Sequence, residues 1–298
     1  MDSSKFFYTV LLGVLLSMCS SSVFAQDETP TPKQIRKSRP KYFQTAMGFN
    51  RASVRDFATS PITYKGALFN LSMGFLKMDD AREVKFTARY NMGNVGYKRK
   101  EGIDVKSSAS VFMLSLNYYR LYQLNSISND KWNFKLGGMF DANFDTRING
   151  DLLNAAFGYE MFNTFFLSGK VTRVFERTET VQKKLLFIKY KLHPRVQLIS
   201  YQLNVPVMNN VLRNGYAYIA NESIGEIPLF QEYEYKVFSG LRFSSELSYT
   251  NQMHNGNMWR VSYIWDAYKA GKSFNRFEMA NHIVEMSLLF HLNKNKYR

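Results

Sequence analysis

The sequence contains little cysteine and proline, and after its first residues it contains no long apolar run. Its 298 residues include one cysteine, Cys19, and seven prolines. Because Cys19 lies in a segment expected to be removed, the mature chain is expected to have no disulfide or thiol chemistry. No run of about twenty apolar residues follows that segment, so the sequence predicts no membrane-spanning helix there. The scarcity of proline suits long β-strands.

Residues 1–25 have the pattern of a signal peptide that is cleaved after Ala25. Lys5 precedes an apolar run over residues 6–18, which is too short to span a bilayer. Lipidation at Cys19 is the alternative, but Met18 is bulky at a position where such signals have a small residue. The sequence therefore predicts an exported chain.

Residues 26–41 form a basic arm without an apolar face. The segment has three prolines and five basic residues, Lys33, Arg36, Lys37, Arg39 and Lys41. This composition is typical of a solvated segment, and we expect it in the periplasm. A contact with phosphate groups or with a partner protein is the alternative.

The clearest pattern lies between Lys131 and Arg147, where apolar and polar side chains alternate. Apolar residues occupy one parity, namely Trp132, Phe134, Leu136, Phe140, Ala142 and Phe144. The other parity includes Asn133, Lys135, Asp141, Asn143 and Asp145. A period of two predicts a β-strand with one apolar face. At ~3.3 Å per residue and a ~45° tilt, the apolar stripe would stand about 28 Å tall, close to the lipid-facing band of a membrane barrel.

Ten alternating segments predict an all-β fold, an antiparallel transmembrane β-barrel over residues 42–298. Hairpin signals such as Asp79-Asp80-Ala81 and Asn255-Gly256 separate some of them. We expect short periplasmic turns and longer outer loops. The predicted turns are residues 79–81, 124–130, 176–183 and 252–257. The predicted outer loops are residues 54–63, 97–106, 204–236 and 268–276.

Three regions are less regular than the rest. Residues 154–175 are aromatic on both faces and break parity near Asn163, which predicts a bulge or a plugged part of the lumen. Residues 184–205 are interrupted at Pro194, which predicts a bend. Residues 206–236 are interpreted as an exposed loop with a small strand at 215–220; twelve strands would result if this region formed a hairpin.

The polar parity is expected to face the lumen. It mixes small residues with opposite charges, such as Lys135 with Asp141 and Asp145, which is typical of a narrow lumen. The predicted lumen-lining residues are Lys85, Arg89, Lys135, Asp141, Asp145, Arg147, Arg242, Glu246, Arg260, Asp266, Glu285 and His291. Aromatic residues at the membrane boundaries are predicted to be Trp132, Phe144, Tyr249, Trp259, Trp265 and Phe290. The lumen residues could form a closed structural network or line a path for small solutes.

The residues offer weak support for catalysis. His254-Asn255-Gly256 lacks a serine where phospholipase-type barrels have Ser-Asn-Gly after a histidine. Glu285, Ser287 and His291 share one face, but steps of two and four residues separate them by about 7 and 13 Å. Asp141 and Asp145 could together bind a cation such as a metal ion. Ion pairs with Lys135 and Arg147 on the same face explain them more simply. We expect no catalytic residues, no metal and no cofactor.

The net charge of +15 is spread over turns and polar faces, so we expect no nucleic-acid partner. The expected partners are outer-membrane lipid and, further, small anionic or zwitterionic solutes or an envelope complex. The sequence leaves the oligomeric state open.

The signal ending in Ala25-Gln26, the aromatic strands, the Asn-Gly and Asp-rich turns and a last strand carrying Phe290 resemble bacterial outer-membrane β-barrel proteins. In particular, they resemble small barrels of Bacteroidota. The resemblance implies residence in the outer membrane of a Gram-negative cell envelope. The role expected is non-enzymatic, as a narrow porin-like channel or as a structural barrel that displays loops. The alternatives are a barrel subunit of an envelope or secretion complex, and a barrel enzyme that hydrolyses lipid or peptide.

Overall fold

A computed structural model describes most of the region predicted to be a barrel. The described residues are 38–98, 106–177, 180–185, 188–192, 194–214, 233–253, 255–272 and 275–292. The predicted signal peptide and most of the basic arm lie outside these ranges. Within the described residues, no helix has the length and apolar character needed to cross a bilayer.

The described chain is almost entirely β-strand. The strands are β1 (Lys41–Asp56), β2 (Ser60–Met78), β3 (Arg82–Lys98), β4 (Lys106–Gln123), β5 (Trp132–Ile148), β6 (Phe157–Arg177), β7 (Val181–Leu185), β8 (Ile188–Leu192), β9 (Arg195–Asn214), β10 (Tyr233–Lys236), β11 (Leu241–Gln252), β12 (Met258–Ala270) and β13 (Phe277–His291). A short 3-10 helix, Gly150–Ala155, lies between β5 and β6.

Ten of these strands close into an antiparallel barrel. Strands β1 to β6 pair in sequence order, β6 pairs with β9, and β9, β11, β12 and β13 continue the ring. The ring closes where β13 pairs with β1, from Tyr42 opposite His291 to Asp56 opposite Phe277. Strands β7 and β8 form a separate hairpin, and β10 pairs with the end of β9. The predicted ten-strand barrel is confirmed, and the alternative of twelve strands is wrong for this structure.

The apolar side chains of the strands face outward and the polar ones face inward. Met47 and Phe49 on β1 are 63% and 68% exposed, and Leu288 on β13 is 41% exposed. Their polar neighbours Gln44 and Asn50 are buried inside the barrel. A soluble barrel would have the opposite arrangement, because water would make an apolar outer face unfavourable. The outer face is therefore suited to contact with hydrocarbon.

Inward-facing glycines allow the sheet to curve tightly. A methyl group on Gly48 of β1 would overlap the backbone carbonyl oxygen of Val284 on β13. A methyl group on Gly66 of β2 would overlap the carbonyl oxygen of Asn94 on β3. Strand glycines often mark such close backbone approaches, which bend a sheet toward closure.

The less regular regions differ from their predicted structures. Parity in β6 does not break at Asn163: the even residues stay inward, and among them are Phe162 and Phe166, which are buried. The register shift lies in the partner strand, where Phe165 pairs with Met208 and Phe166 with Pro206. Proline has no N–H group to donate to the ladder, which explains a bulge at this position.

Two predicted segment boundaries also change. Residues 206–214, predicted as loop, complete β9, and the barrel strand predicted from residue 184 begins after Pro194. Residues 181–185 and 188–192 instead pair with each other as β7 and β8. The small strand predicted at 215–220 lies outside the described residues.

The barrel has two ends, which we name the terminal rim and the distal rim. The terminal rim carries Lys41 and His291, and the distal rim carries Asp56 and Phe277. The turns at 79–81, 124–131 and 253–257 lie at the terminal rim, as predicted. Two links differ from the expected lengths. At the distal rim β1 and β2 are joined by residues 57–59 alone, and at the terminal rim the link after β6 runs from 178 to 194.

Candidate functional site: the barrel interior

Each of the twelve residues predicted to line the lumen lies on the inward parity of its strand. Eight of them are buried, namely Lys85, Lys135, Asp141, Asp145, Arg242, Arg260, Asp266 and Glu285. The other four are half-buried, namely Arg89, Arg147, Glu246 and His291. The structure brings most of the charged ones together in ion pairs that cross between strands.

The central ion network is formed around Arg242 on β11. Its Nε and Nη2 atoms donate to the two carboxylate oxygens of Asp266 at 2.9 and 2.7 Å, and its Nη1 donates to Asp141 at 2.9 Å. Asp141 also accepts hydrogen bonds from Ser115 and Asn117. Bidentate Arg–carboxylate pairing of this kind is strong and directional. The pairing of Asp141 with Lys135 that its strand suggested is wrong, because Arg242 takes that position.

Two further ion pairs extend the central ion network toward β3. Lys85 Nζ lies 4.0 Å from Glu246 Oε2, and Arg89 Nε lies 3.5 Å from Glu285 Oε2. These pairs join β3 to strands β11 and β13 across the lumen. The Lys85–Glu246 pair therefore connects opposite walls of the barrel, and the Arg89–Glu285 pair spans strands that are three positions apart in the ring.

A second cluster, the distal ion cluster, lies near the distal rim. Arg147 Nη2 contacts Asp56 Oδ2 at 2.6 Å and Glu160 Oε1 at 2.5 Å. Arg213 pairs with the same two acids, and both guanidinium groups lie about 5 Å from the centre of the Phe277 ring. Asp56, Glu160 and Arg213 were not predicted as site residues. Glu160 lies on the inward parity of its strand, so the alternating pattern could have identified it. Asp56 and Arg213 lie in segments that were interpreted as loops from the sequence.

A third cluster surrounds Glu83 at the other end of the interior. Lys170 Nζ and the Tyr119 hydroxyl each donate to Glu83 Oε1 at 2.5 Å. Lys135 Nζ lies 3.7 Å from Glu83 Oε2 and donates to the backbone oxygen of Asp79 at 2.7 Å. Neither Glu83 nor Lys170 was predicted, although each lies on the polar parity of its strand.

The described interior contains equal numbers of acidic and basic side chains on its strands. The acids are Asp56, Glu83, Asp141, Asp145, Glu160, Glu246, Asp266 and Glu285, and the bases are Lys85, Arg89, Lys135, Lys170, Arg147, Arg213, Arg242 and Arg260. The excess positive charge of the chain therefore lies elsewhere. An interior without net charge compensates its own ions and does not select strongly for solutes of one sign.

The distal half of the lumen is filled by apolar side chains, which we name the distal core. Its buried members are Ala52, Val54, Tyr64, Leu68, Val95, Ala109, Val111, Met113, Phe162, Val211, Tyr268, Ala270, Phe277 and Met279. Phe162 is in ring contact with Tyr268 and Phe277, with centroids 4.6 and 5.8 Å away. Asp145 lies next to this core, and the hydroxyl group of Tyr268 donates to it. This core blocks the lumen where a pore would need to continue.

The interior leaves little free space at its centre and distal end. A cavity among Lys85, Asn117, Arg242 and neighbouring side chains has a volume of about 30 Å³, and one beside Asp56 and Arg147 has about 20 Å³. Spaces of this size hold one or two water molecules. A larger space of about 240 Å³, which we name the terminal vestibule, lies at the terminal rim between Pro40, Glu83, Lys170 and Arg260.

Comparisons with known proteins return low similarity. No family model and no curated protein matches the sequence. A deletion mutant of the monoaromatic hydrocarbon channel TodX, a P. putida protein, is 8% identical over 88% of this chain and 93% of that chain, with a TM-score of 0.33. The translocator domain of the autotransporter NalP from Neisseria meningitidis is 7% identical over 97% and 98%, with a TM-score of 0.35. The toluene transporter TbuX from Ralstonia pickettii is 9% identical over 85% and 90%, with a TM-score of 0.29. Values this low carry no argument about function, and the barrel assignment rests on the strand pairing.

The residues predicted at the membrane boundaries lie on the outward parity. Trp132, Phe144 and Phe290 are exposed, and Tyr249, Trp259 and Trp265 are half-buried by their neighbours. Trp132 begins β5 at the terminal rim, and the rings of Tyr249 and Trp259 are 5.3 Å apart near the 253–257 turn. Trp132, Tyr249, Trp259 and Phe290 thus lie toward the terminal rim, and Phe144 lies toward the distal rim.

The residues considered for catalysis have separate partners. Ser287 accepts a hydrogen bond from Gln44, and Glu285 is paired with Arg89. The His291 ring lies 5.1 Å from the ring of Tyr42. His282 faces outward, where its Nδ1 is hydrogen-bonded to the hydroxyl of Tyr263 at 2.7 Å. His193 and His254 lie outside the described residues, and among those described no group of three or more candidate ligands is arranged to hold a metal ion.

Proposed function

We propose that the chain is a closed barrel of the bacterial outer membrane with a structural role, and that it holds its rim elements in place and does not form a diffusion pore. Its apolar outer face supports a membrane location, since an antiparallel ring without free edges is the form in which strands cross lipid. The predicted export signal supports the outer membrane in particular.

The observation that carries the proposal is the burial of charged side chains that point into the barrel. Arg242 is 2% exposed, Glu285 is 1% exposed and Asp145 is 0% exposed. In a water-filled pore, charged side chains on the lumen wall would be in contact with solvent. Here protein atoms surround them instead. This burial favours a filled barrel over the narrow channel.

Planar lipid bilayers test this proposal directly. We expect the full chain to insert without stepwise conductance, because both the central ion network and the distal core close the lumen. A Phe162→Gly/Phe277→Gly variant serves as the positive control, since it removes two rings of the distal core and should conduct measurably. Stepwise conductance of the unmodified chain, with an ion selectivity that changes in Arg89→Glu or Arg242→Glu, would overturn the proposal in favour of a channel.

A role as a subunit of an envelope complex is the second candidate, and two elements favour it. The β7–β8 hairpin lies between β6 and β9 at the terminal rim, outside the barrel ring. At the other end, β10 continues the ladder of β9 beyond Pro206. Elements that extend past a barrel are available for contact with partners. Replacing residues 181–192 by a short Gly-Ser turn should leave the barrel folded but reduce the size of its native complex on blue-native gels. An unchanged complex size would remove this support.

A further inference from the structure

The terminal vestibule contains more buried basic groups than its acids neutralise. Three cations, Lys135, Lys170 and Arg260, line it, and each is at least nine-tenths buried. The facing acid is Glu83, which is bonded to both lysines. Asp80, the other acid that faces the vestibule without an ion pair, is exposed at the rim. Glu83 alone therefore leaves two of the three buried positive charges without a buried acid on the described wall of the vestibule.

Asp79 also lines the vestibule, but its charge is compensated elsewhere. Its carboxylate is paired with Arg39 and accepts a hydrogen bond from the backbone N–H of Arg82. Asp79 therefore compensates Lys135 only in part, because it is ion-paired with Arg39.

Arg260 is the cation whose bonding capacity is least used. Its Nε donates to Thr250 Oγ1 at 2.8 Å. Among the described residues, no acid forms an ion pair with its guanidinium group; the nearby Glu246 is ion-paired with Lys85 and attracts Arg260 from a longer distance. A guanidinium group has five N–H donors, and the two Nη atoms form the edge that matches a carboxylate or phosphate. The Arg260 side chain is 3% exposed and lines the cavity, and none of the described acids is bound to its Nη edge. This edge is therefore suited to receive an anion.

The walls of the terminal vestibule complement such an anion. Thr172, Ser200, Thr250 and Gln252 place hydroxyl and amide groups around the space. The hydroxyls of Thr172 and Ser200 are hydrogen-bonded to each other at 3.0 Å, so one of the two remains able to donate into the space. A volume of about 240 Å³ is below the ~300–1,000 Å³ of common ligand pockets, which limits the ligand to a small molecule.

We propose that the terminal vestibule is a binding site for a small oxyanion, a carboxylate or phosphate group carried by a small molecule. The Nη edge of Arg260 would bind two of its oxygens, while Lys170 and Lys135 add positive charge and remain bonded to Glu83. The site opens toward the terminal rim and is closed behind by the central ion network. This inference does not depend on whether the barrel conducts ions.

Isothermal titration of the full chain in detergent micelles tests the site, with inorganic phosphate and succinate as separate probes at low ionic strength. We expect saturable binding of at least one probe with one site per chain, and the tighter probe identifies the class of anion. Arg260→Lys keeps the charge but loses the planar fork, so its affinity should fall about tenfold or more. Lys170→Gln should weaken binding as well.

Lys269→Gln is the matched control, because it removes one positive charge from the outer surface, where that side chain is 54% exposed. Its affinity should equal that of the unmodified chain. If Lys170→Gln fails to fold, Arg260→Lys still decides the outcome. The proposal is overturned if neither probe binds saturably, or if Arg260→Lys binds as tightly as the unmodified chain.

Discussion

In the distal half of the barrel, apolar side chains such as Leu68 and Phe162 pack on one another inside the ring, whereas in the terminal half charged and hydroxyl side chains share the wall of a space with apolar ones such as Leu198. The same strands form both halves. What changes along each strand is the residue on the inward parity, for example from Gln44 to Val54 along β1. One barrel wall thus encloses two different environments.

This difference indicates how each half is stabilised. The stability of the distal core is expected to depend on how closely its side chains fit together. Side chains that line a void lose the packing contacts that neighbouring atoms would provide. The interior toward the terminal rim is expected to depend on charge compensation, because a buried ion without a partner is costly. The distal end leaves room for only one or two water molecules, whereas the terminal vestibule has a volume of about 240 Å³. Substitutions can test these expectations one region at a time.

The largest effect is expected from Arg242→Ala. This change leaves Asp141 and Asp266 buried without a cation, and we expect a loss of about 3–5 kcal/mol in the free energy of unfolding. Urea unfolding of the barrel in lipid vesicles measures it. As a control, Arg242→Met combined with Asp141→Asn and Asp266→Asn should recover most of that loss. A loss below about 1 kcal/mol in the single variant would mean that water already solvates the network.

A somewhat smaller effect is expected from Leu68→Ala in the distal core. Leu68 is 1% exposed, and its truncation should cost about 3 kcal/mol through lost burial and the cavity left behind. The matched control is Leu288→Ala on the outer face, where lipid chains can fill the space and the loss should be clearly smaller. Equal losses at the two positions would show that the distal core is not tightly packed. The same unfolding measurement applies.

Tyr119→Phe should have an intermediate effect. It removes the hydroxyl that donates to Glu83 at 2.5 Å while both lysines remain, and we expect a loss of about 1.5 kcal/mol. The neighbouring Tyr118 faces outward, so Tyr118→Phe controls for the loss of a tyrosine hydroxyl. If the two variants unfold alike, the Glu83 carboxylate is bound by water from the terminal vestibule, and the Tyr119 hydroxyl does not contribute to stability.

The smallest effect is expected from Lys269→Gln. Its ion pair with Glu278 spans 3.8 Å on the outer surface, where exposed pairs contribute up to about 1 kcal/mol. Unfolding midpoints of this variant and the unmodified chain should nearly coincide. A larger loss would indicate that charges outside the barrel also matter for its stability.

The strand pattern could be predicted from the sequence because the period of two is local. Each residue on β5 shows its face through its immediate neighbours, so the outward position of Phe144 and the inward position of Asp141 follow from parity. The count of ten barrel strands follows in the same way. Bulges are harder to predict from the sequence. The aromatic side chain of Phe162 at an inward position resembled a break in the alternation. The bulge instead lies on the partner strand, at Pro206.

The partners inside the barrel could not be predicted from the sequence. Asp141 is bonded to Arg242, which is 101 residues away, and Lys170 is bonded to Glu83 across 87 residues. Such pairs depend on which strands face each other across the lumen, and strand stagger and tilt determine that. The distal core could not be predicted either. An inward apolar residue such as Val111 is not distinguished by its sequence neighbours from an apolar residue that faces outward.

The pairing of β1 with β13 makes the first barrel strand and the last one hydrogen-bonded neighbours. During synthesis, one row of β1 backbone groups stays unpaired until β13 has been made, about 220 residues later. An unpaired strand edge readily joins other chains, so the barrel is open to aggregation until β13 pairs with β1. Biogenesis of this protein should therefore be more sensitive to the loss of β13 than to the loss of any loop.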